Sequence, residues 1–204
     1  MSRLKKPNGP EEQSAKEALL MAAVSLFSEK GYASTSVREI AAQAGVTKPV
    51  LYYYFQNKEG LFRAIMDGAA ERQQELLEEA SRRTGSALER ILFLYRRLYE
   101  ELLPNYSLFR MIHNLIFGPP QGVPKYDMEG YHRRMVEAVK TIYRQGLERG
   151  EVRPADPHEV AMLIVGVTDY CFHLDYLHPE SADPVRSERL LRLAFRGIAG
   201  SSHE

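Results

Sequence analysis

The chain has 204 residues, 44% hydrophobic and 26% charged, a balance that suits one large globular domain or two small ones. Its formal net charge is zero, which weighs against a nucleic-acid partner until the distribution is considered: residues 1–65 carry nine Lys and Arg against six Asp and Glu. A single cysteine, Cys171, excludes an internal disulfide and a cysteine-built zinc site, and no apolar run is long enough to span a membrane.

Residues 1–12 are polar and contain Pro7, Gly9 and Pro10. They are expected to form a disordered arm in which Arg3, Lys5 and Lys6 supply basic charge. From Ser14 to Lys30 the apolar residues Ala15, Leu19, Ala22, Ala23, Leu26 and Phe27 recur at helical spacing, and Gly31 ends the run. The next stretch, Ser34 to Lys58, reads as two short helices joined by a tight turn. Ser36 and Glu39 make a capping box, Ile40, Ala41 and Ala44 give an apolar face, and Gly45 supplies the left-handed stop. Val46 is expected to be buried in the turn. Thr47 is placed at the cap of the second helix and Pro49 in its first turn. Leu51 and Phe55, four apart, face the core. That leaves Thr47, Lys48, Pro49, Val50, Tyr52, Tyr53 and Tyr54 outward. Three consecutive tyrosines are more than a short core-facing helix needs, and each phenol offers an apolar ring with a hydrogen-bonding tip, as a helix in a DNA groove requires. Tyr53 has an alternative in packing against the following helix.

Asn57 caps that following helix, which runs through a charged stretch to Thr84-Gly85 and links an N-terminal unit to the rest. Ser86 and Glu89 form a second capping box for a helix carrying Leu88, Leu92, Tyr95, Tyr99 and Leu102. A shorter helix covers Asn105 to Phe117, followed by the loop GPPQGVP. A long helix covers Asp127 to Arg149. Asp156, Pro157 and Glu159 open an almost wholly apolar helix to residue 177, and a last helix begins at Asp183-Pro184. There is no convincing strand and no repeat. The expected fold is all-α, a nine-helix two-domain architecture: residues 13–57 as a helix-turn-helix unit, and 58–204 as a second domain entered by the connector helix 58–83.

In that second domain Tyr95, Tyr99, Phe109, Arg110, His113, Phe117, Asp169, Tyr170, Phe172 and His173 are aromatic or polar groups on otherwise apolar helices, the pattern of a small-molecule pocket. Asp169 needs a partner if buried, and Arg110 or His113 is expected to supply it. The helix 157–177 is apolar on nearly every face. With the last helix it is expected to form a four-helix interface with a second copy, through Ala161, Val165 and Gly166 and through Leu190, Ala194 and Gly197. No nucleophile elbow, phosphate loop, dinucleotide motif or HExxH zinc motif is present, and Cys171 in an apolar helix is a poor thiolate. An enzyme is therefore not expected, and no cofactor or metal is.

The block Thr35-Ser36-Val37, Ile40-Ala41, Ala44-Gly45-Val46-Thr47, Leu51-Tyr52, Tyr54-Phe55 and Lys58, with Leu61 after it, resembles the helix-turn-helix of the tetracycline-repressor (TetR) family of transcriptional regulators. The segment AVSLFSEKGY before it also looks like the end of that family's first helix. The resemblance covers roughly residues 15–65. It implies a homodimeric regulator on a palindromic double-stranded operator, and the lone cysteine and short apolar runs noted above lead to the expectation of a cytoplasmic protein without a membrane partner. It also implies a C-terminal domain whose small effector, here expected to be apolar or aromatic, weakens DNA binding. By position it implies that Lys48, Pro49 and Val50 approach bases, that Arg38, Thr47, Tyr52 and Lys58 meet phosphates, and that Tyr54 also touches DNA. Pro49 stands where the family often has glycine, so readout there is by shape and apolar contact. Lys58 sits at a helix N-terminus, where its charge opposes the dipole, which points to an anionic partner outside the protein.

Overall fold

Several helices in this chain start where a side chain satisfies the free backbone groups of the first turn. The computed structural model describes residues 10–102, 104–118, 122–183 and 185–198. Arg3, Lys5 and Lys6 of the expected arm lie outside them, as does the side chain of Phe117. Among the described residues nine α-helices follow one another: α1 (Pro10–Lys30), α2 (Val37–Gln43), α3 (Lys48–Phe55), α4 (Lys58–Arg82), α5 (Ala87–Leu102), α6 (Tyr106–Phe117), α7 (Met128–Glu148), α8 (Pro157–Leu177) and α9 (Arg186–Ile198). A 3-10 turn, Pro179–Ser181, separates α8 from α9, and no strand occurs among the described residues. The fold is all-α.

Asp127 caps α7 by accepting from Gly130 N at 2.8 Å, and Asp156 caps α8 by accepting from His158 N at 2.7 Å. The Ser86 and Glu89 capping box closes α5, with Glu89 Oε2 accepting from Ser86 N at 2.8 Å. The N-terminal arm is shorter than expected, because α1 already begins at Pro10. Proline opens a helix well, since its missing N–H would have no partner in the first turn.

Two compact units result: residues 1–69 with 105–126, and residues 70–104 with 127–204. A division drawn in chain order at residue 57 does not follow them. α6 returns to pack against α1, burying Met111 and Ile112, and Arg110 Nη2 donates to Ser28 Oγ at 3.0 Å. The Tyr126 hydroxyl donates to Asp67 Oδ1 at 2.9 Å, and its ring stands edge-on to Phe62. The core of this first unit joins Leu19, Ala23 and Phe27 of α1 to Ile40, Leu51, Phe55 and Phe62. Each of the larger ones contributes about 1.5–3 kcal/mol on burial.

In the second unit α7 packs along α8, and α9 packs on α5 and α8. A Cβ on Gly146 of α7 would lie 2.7 Å from the Ala87 Cβ, so glycine permits the close approach of α5. Arg90, almost fully buried, replaces the missing bonds at the end of α4. Its Nε donates to Ala80 O at 3.1 Å, Nη2 to Ser81 O, and Nη1 to Gln145 Oε1 at 2.6 Å.

Candidate nucleic-acid interface

The α2–α3 pair is built as its sequence requires. Ser36 Oγ accepts from Glu39 N at 3.2 Å, and Glu39 Oε2 accepts from Ser36 N at 2.8 Å. Lys30, at the end of α1, also donates to Glu39, and these bonds hold the Glu39 carboxyl down at about 2. Gly45 has φ +68°, a conformation in which a β-carbon is strained although the space around it is open. Val46 N then donates to Ala41 O at 3.0 Å, which closes the turn. Val46 is half-buried, less enclosed than expected. Leu51 and Phe55 are buried and seat α3.

Turned outward are Arg38, Thr47, Lys48 and Pro49, with Val50 and Tyr54 half-buried. Tyr52 and Tyr53 remain 49% and 47% exposed. Thr47 holds the cap position with extended backbone, yet its hydroxyl makes no cap bond and stays available to an external acceptor. Arg38 and Lys48 have no ion-pair partner among the described residues. Tyr53 packs edge-on against Tyr54, ring centroids 5.0 Å apart. One short surface therefore presents two free cations, a free hydroxyl at a helix N-terminus and phenol rings. This combination suits phosphates and base edges.

Lys58 departs from its expected role. Its Nζ donates to Tyr32 O at 2.9 Å and Thr35 O at 2.8 Å and lies 4.1 Å from the centre of the Tyr32 ring. Its partners are inside the protein and neutral, two carbonyl oxygens and a ring face, not an external anion. Burial lowers the Lys58 pKa. Lys58 ties the start of α4 to the α1–α2 connection and is withdrawn as a phosphate contact.

Two neighbours of Lys58 escaped sequence reasoning. Gln56 adopts φ 64° and ψ −41°, and Asn57 N donates to Phe55 O at 2.7 Å, so α3 and α4 are joined by a strained γ-turn. A Cβ on Gly60 would lie 2.0 Å from the Phe55 carbonyl oxygen. Gly60 therefore lets the end of α3 rest on the first turn of α4, whose cap is Asn57 Oδ1 accepting from Gly60 N at 2.7 Å. The Asn-Lys-Glu-Gly run at 57–60 carries the only sequence hint of this joint.

The proposed effector residues fall into both units. In the second unit, Tyr95 and Tyr99 of α5 meet Phe172 of α8, with ring centroids at 6.4 and 5.6 Å. The Tyr99 hydroxyl donates to Asp175 Oδ2 at 2.9 Å, and Asp175 Oδ1 accepts from Arg186 Nη1 at 2.8 Å. Asp175, not Asp169, is the buried and paired carboxylate of α8. Among the described residues the basic side chain beside Asp169 is His132 of α7, with Nδ1 at 4.0 Å, rather than Arg110 or His113. Tyr170 is 60% exposed and points away from the core. His173 lies over the Tyr170 ring at 6.4 Å. Phe109, Arg110 and His113 belong to the first unit, where Phe109 and His113 face each other at 5.9 Å.

The expected self-association residues need a similar correction. Ala161 and Val165 are buried inside the unit, Ala194 is half-buried, and only Gly166, Leu190 and Gly197 are exposed. The exposed apolar face of α8 is instead Met162, Leu163, Gly166, Tyr170 and Leu177, and α9 adds Leu193. On a helix apolar all round, hydrophobicity alone cannot say which stripe enters the core.

Residues 19–65 match the bacterial regulatory proteins of the tetR family. Over 72 residues the chain is 36% identical to the HTH-type transcriptional repressor BepR of Brucella suis, covering 35% of this chain and 34% of that protein. Over 99 residues it is 36% identical to an HTH-type transcriptional repressor of Mycobacterium tuberculosis, covering 44% of this chain and 52% of that protein. The chain thus spans between a third and about half of the length of these curated relatives. The complex of SmeT, from Stenotrophomonas maltophilia, with triclosan has the same fold. It superposes with a TM-score of 0.73 at 21% identity, over 93% of this chain and 94% of that one.

Proposed function

We propose that this chain, whose residues 19–65 match the tetR family of bacterial regulatory proteins, is a member of that family and a cytoplasmic, sequence-specific DNA-binding transcriptional repressor. Two copies place α3 in successive major grooves of a palindromic operator, and a small apolar or aromatic effector in the second unit releases them. The observation that carries the reading is the outward face of Thr47 to Tyr54, with Lys48 and Arg38 lacking an ion-pair partner among the described residues and the Thr47 hydroxyl making no cap bond. Lys48 donates to guanine O6 or N7, Pro49 and Val50 meet a thymine methyl, and Arg38, Thr47 and Tyr52 fix the register on phosphates. Tyr53 and Tyr54 brace one another at the edge of the groove. Among the described residues no helix is long and apolar enough to cross a membrane.

Dimerisation follows from the bare apolar face of α8 with Leu190 and Leu193 of α9, which water leaves costly until a second copy covers it. Two relatives named above carry the name repressor, and SmeT is known in a complex with triclosan. Both facts support the sign of regulation and the effector class. The test is footprinting of the purified protein on the DNA upstream of its own coding region. Two protected half-sites about one helical turn apart are expected. Protection no stronger than on unrelated DNA at physiological salt would end this reading.

A further inference from the structure

The corner between α8 and α9 is held by one buried carboxylate. Asp175, in the last turn of α8, is 8% exposed. Its Oδ1 accepts from Arg186 Nη1 at 2.8 Å and from Asp183 N at 3.2 Å, and its Oδ2 accepts from the Tyr99 hydroxyl of α5 at 2.9 Å. Arg186 Nη2 donates in turn to Ser181 O at 3.1 Å, in the 3-10 turn between the two helices. One side chain thus ties the end of α8 to that turn, to the first residue of α9 and to α5. A carboxylate taken out of water is costly unless it is paired and hydrogen-bonded, and Asp175 is both.

Arg186 stands against local preference. It opens α9, and a cation in a first turn opposes the helix dipole. Its partner Asp175, eleven positions earlier, explains the choice. The Arg96–Glu188 pair also joins α5 to α9, at 3.0 Å, but it lies in water and does little to fix an orientation. Orientation matters here because successive residues of a helix point about 100° apart. Leu191 and Phe195 of α9 are buried, whereas Leu190 and Leu193 are exposed. Turning α9 by one residue would carry Leu193 away from the face assigned above to a second copy.

We propose that the Asp175–Arg186 pair is a positioning element for self-association. It fixes how α9 leaves α8, so that Leu190 and Leu193 join the bare apolar face of α8 in one surface for a second copy of this chain. The inference rests on the dimer reading given above and adds the residues that set its geometry. Asp175 acts through Arg186 and not by touching the second copy, since its carboxylate is enclosed by its own unit.

The test is sedimentation equilibrium of the full-length protein, with thermal melting of each variant recorded alongside. Asp175→Asn keeps the shape and an acceptor for Tyr99 but loses the charge facing Arg186, and Arg186→Gln loses the guanidinium. Each is expected to raise the dimer dissociation constant about tenfold. The double variant D175N/R186Q should be no weaker than either single one, because both remove the same pair. Arg186→Lys, which keeps the charge, should restore most of the affinity. Arg90→Gln deserts the Ala80 and Ser81 carbonyls of the same unit. It should lower the melting temperature yet leave the dimer constant within about twofold. Should D175N fail to fold, R186Q and R186K carry the test, because the Arg186 side chain is 24% exposed. Unchanged constants in a dimeric protein, or an equal shift in R90Q, would overturn this inference alone. A monomeric wild type would remove the dimer reading and this inference together.

Discussion

Helices α3 and α8 both leave large side chains in water. On α3 these are Tyr52 and Tyr53, each ending in a hydroxyl and standing close to the free ammonium of Lys48 and the unused hydroxyl of Thr47. On α8 they are Met162, Leu163, Tyr170 and Leu177, none of them charged. An amphipathic aromatic surface beside cations matches a polyanion with apolar base edges. A bare apolar stripe matches only another of its kind. Exposure alone does not distinguish the two, but the chemistry at the tips of the side chains does.

The comparison can be broken most sharply on α8. Leu163→Arg places a charge at an exposed position, so the helical content should stay the same. Light scattering at micromolar concentration should then report a monomer, and operator affinity should fall by at least about a hundredfold. A dimer that survives L163R would remove α8 as the self-association surface. A smaller effect separates two lysines of the DNA-facing unit. Lys48→Ala should cost about 1–3 kcal/mol of discrimination at one base pair in a binding titration, with thermal stability intact. Lys58→Ala should do the reverse: a loss of about 1–3 kcal/mol in chemical unfolding from the two deserted carbonyls, with discrimination unchanged. A lower salt slope in K58A than in wild type would restore Lys58 as a phosphate contact.

The smallest effects are in the dependence on pH, where the two units have opposite signs. Glu39 is held near 2, below its ordinary 4.5, chiefly by the bond from Lys30. Its contribution to stability is present above about 4.5 and is lost as pH falls toward 2. Asp169 is raised from 3.8 to about 6, chiefly by burial, so its folded form prefers the proton. Its ionisation therefore costs stability as pH rises from about 4 through 6. Melting curves across pH 2–8 should show Glu39→Gln flattening the acid limb. Asp169→Asn should gain on wild type as pH rises through that upper window. Parallel wild-type and variant profiles would sink both assignments.

Much of the α2–α3 surface was legible in the sequence because it is made by local rules. Ser36 and Glu39 cap each other three residues apart, Gly45 permits one backbone conformation, and Leu51 and Phe55 share a face by helical spacing. The same rules located every long helix to within a few residues. They failed at the α3–α4 joint, where Gln56 is strained and Gly60 yields to the Phe55 carbonyl, since no propensity encodes a contact between backbones. They also failed where a group had two candidate partners. Lys58 was assigned an external anion because the carbonyls that hold it come from residues 32 and 35, more than twenty positions earlier in the chain.

By itself, then, the sequence determined the helices, several of their caps and which residues of α3 face outward, all of which follow from interactions within about four residues. Only the tertiary structure decided that α6 packs back on α1, that Asp175 and not Asp169 is the paired carboxylate, and which face of α8 is left in water. Those outcomes depend on which distant surface arrives to cover an apolar or charged group. A helix that is apolar on every side carries no local record of that choice.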